Sequence, residues 1–597
     1  MYQSFESTTR PEQGPPRLAA LRTEMAAAEV DAFLVPRADM HQGEYVAPRD
    51  ERLAWLTGFT GSAGFAAVLA ERAALFVDGR YTLQAAAQVD TSAFTPVPWP
   101  KTKLSAWLTE ALPAGGVVGF DPWLHPVKAI EELRKEGEKH GLTLSPIDNL
   151  IDIIWENQPP PPQGPFRVHP ASLAGALPAE KRARLAEALT HEGHAAAVLT
   201  LPDSIAWLLN IRGSDIRCNP VPHACAILHE TGAVELFADA AKLTDEVRAH
   251  LGADIALHPP EAFTQRLQAL DAPVRIDPDS APVAVAEALP QPVTGQDPCI
   301  LPKALKTQAE IDGMAAAHLR DAAAMCRFLA WLEEAAPQGA LTEIDVVRRL
   351  EEERRKAPEL IEISFDTICG AGPHGAIVHY RVTEETDAAI APGTLLLIDS
   401  GGQYTDGTTD ITRTLATGPV TDAQKEAFTR VLKGVIAISQ ARWPKGLAGR
   451  DLDALARIAL WQAGQDYDHG TGHGVGAALS VHEGPQRLSR TSDVALQPGM
   501  ILSNEPGYYR ADEWGIRLEN LIYVAAAPAL PEGDDREMLA FATLTWVPFD
   551  RRLIAEGLLT RAEVAWLDGY HAEVCDRVMP LLDGAAADWL ERATAPL

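Results

Sequence analysis

Cysteine is scarce in this chain. The six present (Cys218, Cys225, Cys299, Cys326, Cys369 and Cys575) are scattered and form no CxxC pair, which argues against a disulfide framework or a zinc finger and fits reduced, mostly buried thiols. Long apolar runs are also missing: nothing approaches the roughly 18 residues of a membrane span. The opening residues Met1-Tyr2-Gln3-Ser4-Phe5-Glu6 have neither a basic nor an apolar leader segment, so a cytoplasmic location with no membrane partner is expected. Positive charge is in short supply, with 52 Lys and Arg against 82 Asp and Glu and a net charge of −30. Such a field repels phosphate backbones, and no nucleic-acid partner is expected. What remains is 46% hydrophobic and 22% charged, the balance of a soluble globular protein. A length of 597 residues exceeds one ordinary core and predicts roughly two to four domains.

Two breaks divide the chain. Pro159 to Pro162 is a run of four prolines that can be neither helix nor central strand and reads as a stiff linker. A second proline-rich stretch lies around Pro290 to Pro302. After it, Thr307 and Glu310 form a T-x-x-E capping box opening a long helix through Met325, Leu329 and Leu332. The expected domains are 1–160, 161–302 and 303–597. The first two read as one duplicated α/β unit. Ala54-Trp55-Leu56 with Gly61-Ser62 is answered by Ala206-Trp207-Leu208 with Gly213-Ser214, and Leu75-Phe76-Val77-Asp78 by Leu236-Phe237-Ala238-Asp239. The third domain mixes helices with short apolar strands at Thr394 to Ile398, Ile501-Leu502 and Leu521 to Val524. Near its end, Thr560 and Glu563 cap a closing amphipathic helix.

The chemistry-bearing residues all lie in the third domain. Asp399 ends an apolar run, Asp410 follows eleven positions later, His473 sits in Gly470-Thr471-Gly472-His473-Gly474-Val475-Gly476, Glu505 precedes Pro506-Gly507, and Glu519 closes Gly515-Ile516-Arg517-Leu518-Glu519. Buried carboxylates must be neutralised, paired or metal-bound, and the basic neighbours are few, chiefly Arg413 and Arg517. Four carboxylates and a neutral imidazole carry −4, which two divalent cations balance. Carboxylates bridge such ions when they lie about 3.5–4 Å apart, and an oxygen-rich, sulfur-free set favours a harder ion such as Mn²⁺. Each position also has a plainer reading. Asp399 could cap a helix, Arg517 and Glu519 could be a solvated ion pair, and the glycines around His473 could form a turn, since they lack the GxGxxG context of a nucleotide loop. His191-Glu192-Gly193-His194 falls one residue short of the HExxH zinc helix, and Thr60-Gly61-Ser62-Ala63-Gly64 lacks the spacing of a serine-hydrolase elbow.

Taken together, Leu397-Ile398-Asp399-Ser400-Gly401, Asp406 to Thr414, His469 to Gly476, Val481-His482-Glu483-Gly484-Pro485, Asn504 to Tyr509 and Gly515 to Asn520 resemble the site motifs of the pita-bread metallopeptidases. The closest resemblance is to the long, three-domain aminopeptidase P family. It extends to His41 to Tyr45, Gly61 to Gly64 and Asp78-Gly79-Arg80-Tyr81. The resemblance implies two creatinase-like α/β domains followed by a pita-bread catalytic domain. It implies hydrolysis of the N-terminal Xaa-Pro bond of proline-containing peptides by a metal-bridging water or hydroxide. Two ions, usually manganese with zinc or cobalt as alternatives, would be held by Asp399, Asp410, His473, Glu505 and Glu519. Glu505 would also be the general base. His379 and His482 would hold the scissile carbonyl and its oxyanion, and His469 would line the proline side. Arg517 belongs with the substrate-binding set, as does Arg80, which would reach a neighbouring subunit's site in a homodimer. The front domains are expected to block the N-terminal side. Asn504 and His374 depart from the usual pattern, and neither is a ligand position. The rivals are prolidase, which usually has one front domain, methionine aminopeptidase, which usually has none, and non-catalytic pita-bread binding modules, which lose a ligand that this chain keeps.

Overall fold

Two six-stranded sheets with the same strand order occupy the front of the chain in a computed structural model that describes all residues, Met1–Leu597. The first contains β1 (Ala32–Pro36), β2 (Phe65–Leu69), β3 (Ala73–Val77), β4 (Thr95–Pro98), β5 (Gly116–Phe120) and β6 (Leu142–Pro146), in the order 4-3-2-1-5-6. The second contains β7 (Ala196–Leu199), β8 (Cys225–His229), β9 (Val234–Phe237), β10 (Ile255–His258), β11 (Val274–Ile276) and β12 (Pro292–Thr294), in the order 10-9-8-7-11-12. Strand directions also repeat. The 1-2 and 2-3 pairs are antiparallel and the 3-4, 1-5 and 5-6 pairs parallel, as are their counterparts. The matched Ala-Trp-Leu triplets lie in equivalent helices, Arg52–Thr57 and Pro202–Leu209, and the matched Leu-Phe pairs on β3 and β9. Shared order, direction and sequence positions are what duplication produces. Pro159 to Pro162 lie in neither helix nor strand. Residues 8–171 and 176–300 form one compact unit.

Residues 301–597 form the other, which also takes in Met1–Ser7 and Ser172–Gly175. Its N-terminal segment is held by Tyr2 N–H donating to Glu351 (2.6 Å), by paired hydrogen bonds between Gln3 and Thr367, and by buried Phe5. Helix Gln308–Ala335 begins at the Thr307–Glu310 capping box. It buries Met325, Phe328, Leu329 and Leu332, and each apolar side chain taken out of water contributes about 1.5–3 kcal/mol. Helix Arg561–Val578 begins at the Thr560–Glu563 box.

The strands of this unit carry or flank the candidate ligand residues. A three-stranded antiparallel sheet contains β13 (Ile368–Ala371), β14 (Leu395–Ser400) and β15 (Ile411–Ala416), with β14 in the middle. A six-stranded sheet contains β16 (Arg442–Pro444), β17 (Gly472–Gly474), β18 (Glu483–Leu488), β19 (Ile501–Asn504), β22 (Asn520–Ala526) and β23 (Met538–Thr543), in the order 16-23-22-19-17-18. The hairpin β20 (Gly507–Arg510) and β21 (Trp514–Arg517) lies between β19 and β22 in sequence. Every residue of β14 is buried, as expected for a central strand covered on both faces. No helix of the chain is long and apolar enough to cross a membrane, and of the six cysteines five are buried and Cys575 is half-buried.

Candidate metal centre and active site

Asp399 lies inside β14 rather than at its end, because the strand is paired on both sides: Asp399 opposes Ile368 on one and Thr412 on the other. Asp410 immediately precedes β15, His473 is the middle residue of β17, Glu505 follows β19, and Glu519 sits between β21 and β22. The Glu519 N–H donates to the Thr412 carbonyl at 3.1 Å, which locks the two sheets at this point. The glycines flanking His473 serve strand packing. A Cβ on Gly472 would lie 1.9 Å from the Ser503 carbonyl oxygen, and one on Gly474 2.2 Å from that of Glu483, so the turn and nucleotide-loop readings fall away.

The five predicted ligand residues converge. Donor atoms of Asp410, His473 and Glu519 all lie within 4.8 Å of one another. His473 Nε2 is 3.5 Å from Asp410 Oδ2 and 3.6 Å from Glu505 Oε1. Its Nδ1 is 2.9 Å from the Gly474 carbonyl. An acceptor there requires Nδ1 to carry the proton, so Nε2 presents its lone pair to the carboxylates, as metal-ligating histidines do. Arg517, 2% exposed, donates to Asp399 Oδ2 at 2.6 Å. It also donates to the Tyr509 hydroxyl at 2.8 Å and to Thr412 Oγ1 at 3.3 Å. It is therefore a buried partner of Asp399, not the solvated mate of Glu519. Arg413 pairs with no carboxylate. It donates to the carbonyls of Thr412, Glu519, Val547 and Pro548 and to Asn520 Oδ1, and it stacks 4.2 Å over the Phe549 ring.

One arginine against four carboxylates leaves the pocket strongly anionic. Three buried oxygens, Asp399 Oδ1, Asp410 Oδ1 and Glu519 Oε1, have no hydrogen-bond partner, although buried polar groups are nearly always satisfied. The electrostatics agree. Burial pushes Asp410 up to about 6, against the pull of His482 and Arg517. Burial pushes Glu505 to about 7, partly offset by His473 and Arg517. Asp399 is also raised by burial, and Glu519 is pushed far above the carboxylate range by burial and by Asp410, Glu505 and Asp399. Such a set is stable when protonated or when divalent cations neutralise it. All-oxygen donors plus one imidazole, with carboxylate oxygens unpartnered, fit a pair of such cations.

The histidines and arginines sort into three places. His482 is exposed and packs edge-on against His473, ring centroids 4.2 Å apart. His469 Nδ1 faces the Gly470 carbonyl at 2.7 Å, so its Nε2 accepts from the Tyr509 hydroxyl at 2.9 Å. A continuous line of hydrogen bonds thus runs from Asp399 through Arg517 and Tyr509 to His469. His379 is half-buried in the turn after the 3₁₀ segment Gly372–Ala376. That segment rests on the Arg517 strand so closely that a Cβ on Gly515 would lie 1.7 Å from the Gly375 oxygen. Arg80 belongs to the other compact unit, where Asp78 holds it at 2.7 and 3.0 Å. Asn504 is buried and ties β19 to helix Asp422–Ser439 through Val435 O (3.0 Å) and Ser439 Oγ (3.2 Å). His374 hydrogen-bonds Glu343. His191 and Glu192 end helix Pro178–Glu192, which Gly193 caps at φ +75°.

Tyr509 and Thr412 are neighbours of the site that sequence reasoning missed. Tyr509 was within reach of it. In hairpin β20–β21 Gly507 opposes Arg517 and Tyr509 opposes Gly515, so Tyr509 and Arg517 share a face by simple alternation.

Comparison with known proteins agrees with this geometry. The metallopeptidase family M24 profile matches residues 312–526, and a profile for its C-terminal region matches 537–597. Creatinase/prolidase N-terminal domain profiles match 17–154 and 157–310. Aminopeptidase P2 of Arabidopsis thaliana is 42% identical over 95% of this chain and 86% of its own length. This chain belongs to the aminopeptidase P family. A probable Xaa-Pro aminopeptidase P of Aspergillus fumigatus is 40% identical over 97% of this chain and 92% of its own. The X-prolyl aminopeptidase of Caenorhabditis elegans, described as a cytosolic enzyme with a di-nuclear active site, superposes with a TM-score of 0.93 at 33% identity, covering 98% of this chain and 99% of that one. The Xaa-Pro dipeptidase of Bacillus anthracis, 26% identical with a TM-score of 0.52, covers 99% of itself but only 62% of this chain. The shorter dipeptidase thus leaves more than a third of the aminopeptidase P architecture unmatched.

Proposed function

We propose that this chain is a metallo-aminopeptidase that removes the first residue from peptides with proline second. The observation that supports this most directly is the cluster of partnerless carboxylate oxygens around His473, in a chain that covers 86% and 92% of two aminopeptidase P relatives. Asp399, Asp410, His473, Glu505 and Glu519 would hold two divalent ions, with manganese the best chemical match to the oxygen-rich donor set. When bound, such ions polarise a carbonyl and make water a nucleophile at neutral pH. The chain's own residues supply the rest. Glu505 takes the proton of the attacking water and returns it to the prolyl nitrogen, which must leave as an amine. His379 and His482 donate to the scissile carbonyl as negative charge develops on it. His469, fixed by Tyr509, lines the proline side. An Xaa-Pro bond has no N–H and a fixed φ, so a site that grips the carbonyl and the ring succeeds where one that reads the amide hydrogen fails.

The family likeness supports a cytoplasmic homodimer, with Arg80 reaching a partner's site and domains at 1–160, 161–302 and 303–597. An exposed apolar row on helix Gly449–Trp461, formed by Leu455, Ile458 and Trp461, is a surface suited to a second copy. Ile458→Asp tests it: a shift to the monomer in sedimentation supports the dimer, and an unchanged mass rejects this surface.

The deciding experiment is cleavage of Arg-Pro-Pro, Arg-Pro and Arg-Ala-Ala by metal-free protein with and without Mn²⁺. Arginine released from Arg-Pro-Pro, and lost in Asp410→Asn, supports the proposal. Cleavage of Arg-Pro alone indicates a dipeptidase. No cleavage and no metal uptake rejects an enzyme.

A further inference from the structure

Glu343, the first residue of helix Glu343–Arg354, is completely buried. A lone carboxylate there would be costly, yet its oxygens are saturated. Oε1 accepts from the Ala371 N–H at 2.7 Å and from His374 Nδ1 at 2.9 Å. Oε2 accepts from the Tyr380 hydroxyl at 2.9 Å and from the Ala388 N–H at 3.2 Å. The Glu343 N–H in turn donates to the Ala388 carbonyl at 3.0 Å.

All four donors belong to one chain segment, 371–388. The carboxylate fastens its start, its end and two side chains between them. The His374 ring also stacks on Tyr380, centroids 4.4 Å apart and 29° from parallel, and the Tyr380 hydroxyl is shared with Thr386 Oγ1 at 3.1 Å. His379 immediately precedes Tyr380. Its backbone is therefore held on one side by the Tyr380 anchor and on the other by the 3₁₀ turn that His374 pins. A group that must meet an oxyanion within a few tenths of an ångström gains from such a frame.

We propose that Glu343 is a positioning residue for the reaction: acting through Tyr380 and His374, it sets His379 against the scissile carbonyl. This rests on the role given to His379 above. His374 supplies both a hydrogen bond to Glu343 and an aromatic face against Tyr380.

The test is a double-mutant cycle on the Mn²⁺-loaded, full-length protein with Arg-Pro-Pro as substrate. Tyr380→Phe removes one anchor with little change of shape, and Glu343→Gln reorganises all of them. Both are expected to lower kcat roughly ten- to a hundredfold, the scale of a sub-ångström to 1 Å misplacement, with KM and Mn²⁺ stoichiometry nearly unchanged. His374→Asn keeps a donor toward Glu343 and is expected to lose less than about threefold, while His374→Ala loses more. In a His379→Ala background the Tyr380→Phe loss should vanish, because the side chain being positioned is gone. A Tyr380→Phe loss that persists undiminished in that background overturns the proposal. So does wild-type kcat in Tyr380→Phe. If Glu343→Gln does not fold, Tyr380→Phe carries the test alone. Wild-type activity in His379→Ala would instead overturn the role of His379 itself, a separate failure.

Discussion

Glu343 and Glu519 are both fully buried glutamates in the same unit, and their surroundings are opposite. Glu343 is saturated by four donors from one segment. Glu519 accepts from Thr412 Oγ1 at 2.7 Å on one oxygen, has an orphaned Oε1, and has three carboxylates raising its pKa. A satisfied buried carboxylate stabilises the chain as it stands, whereas an unsatisfied one among like charges stabilises it only after a cation arrives. Burial alone does not mark a functional acid; the absence of partners does.

The contrast breaks most visibly in activity. Asp410→Asn or Glu519→Gln should reduce Arg-Pro-Pro cleavage by more than roughly a hundredfold, the upper range for losing even an outer partner of a metal ligand, with fewer than two Mn²⁺ bound per chain by metal analysis. Retention of both ions would place the centre elsewhere.

Stability sharpens it next, through opposite signs. In metal-free protein Glu519→Gln removes a carboxylate that can be buried among like charges only by taking up a proton, and should raise the melting temperature. Glu343→Ala strands up to four donors, at about 1–3 kcal/mol for each left buried and unpaired, and should lower it. Added Mn²⁺ should stabilise the native chain by about 2.7 kcal/mol at a hundred times its Kd, and Glu519→Gln far less. Calorimetry with and without metal reads all three; equal signs for the two glutamates would erase the distinction.

pH gives an intermediate effect. Asp410 at about 6 and Glu505 at about 7 hold protons that a cation must displace. Because both are raised above their unfolded values, their protonated forms favour the metal-free fold at low pH, and that contribution declines as pH rises through 6 to 7. Mn²⁺ affinity moves the other way, rising between pH 5 and 7 by up to about tenfold per pH unit per displaced proton and levelling above about 8. Titration calorimetry in buffers of differing ionisation enthalpy counts the protons; a flat profile would contradict the shifts. The smallest effect belongs to Tyr509→Phe, which breaks the Arg517–Tyr509–His469 line and should raise KM for Arg-Pro-Pro a few-fold, with kcat and metal content retained. An unchanged KM would remove His469 from the proline side.

Much of the molecule was legible in the sequence, for a local reason. Capping boxes at Thr307, Thr560 and their partner glutamates fix helix starts within four residues, and the duplicated Ala-Trp-Leu and Leu-Phe signatures already imply two like sheets. The ligand types and their order also stand in the sequence, since chemistry demands those side chains whatever the fold. The register that sets Asp399 opposite Thr412 and within β14, however, depends on strands paired across gaps in the chain. That Arg517, at the end of β21, reaches Asp399 while Arg413, on β15, turns to carbonyls and to the Tyr570 hydroxyl of the closing helix depends on how these separate elements pack. The Glu343 anchor joins residues 28 to 45 positions apart. The sequence by itself determined which candidate ligands the chain carries and in what order. Only the tertiary structure decided which of the buried charges are paired and which are left for a cation, because a buried charge is stabilised by neighbours in space.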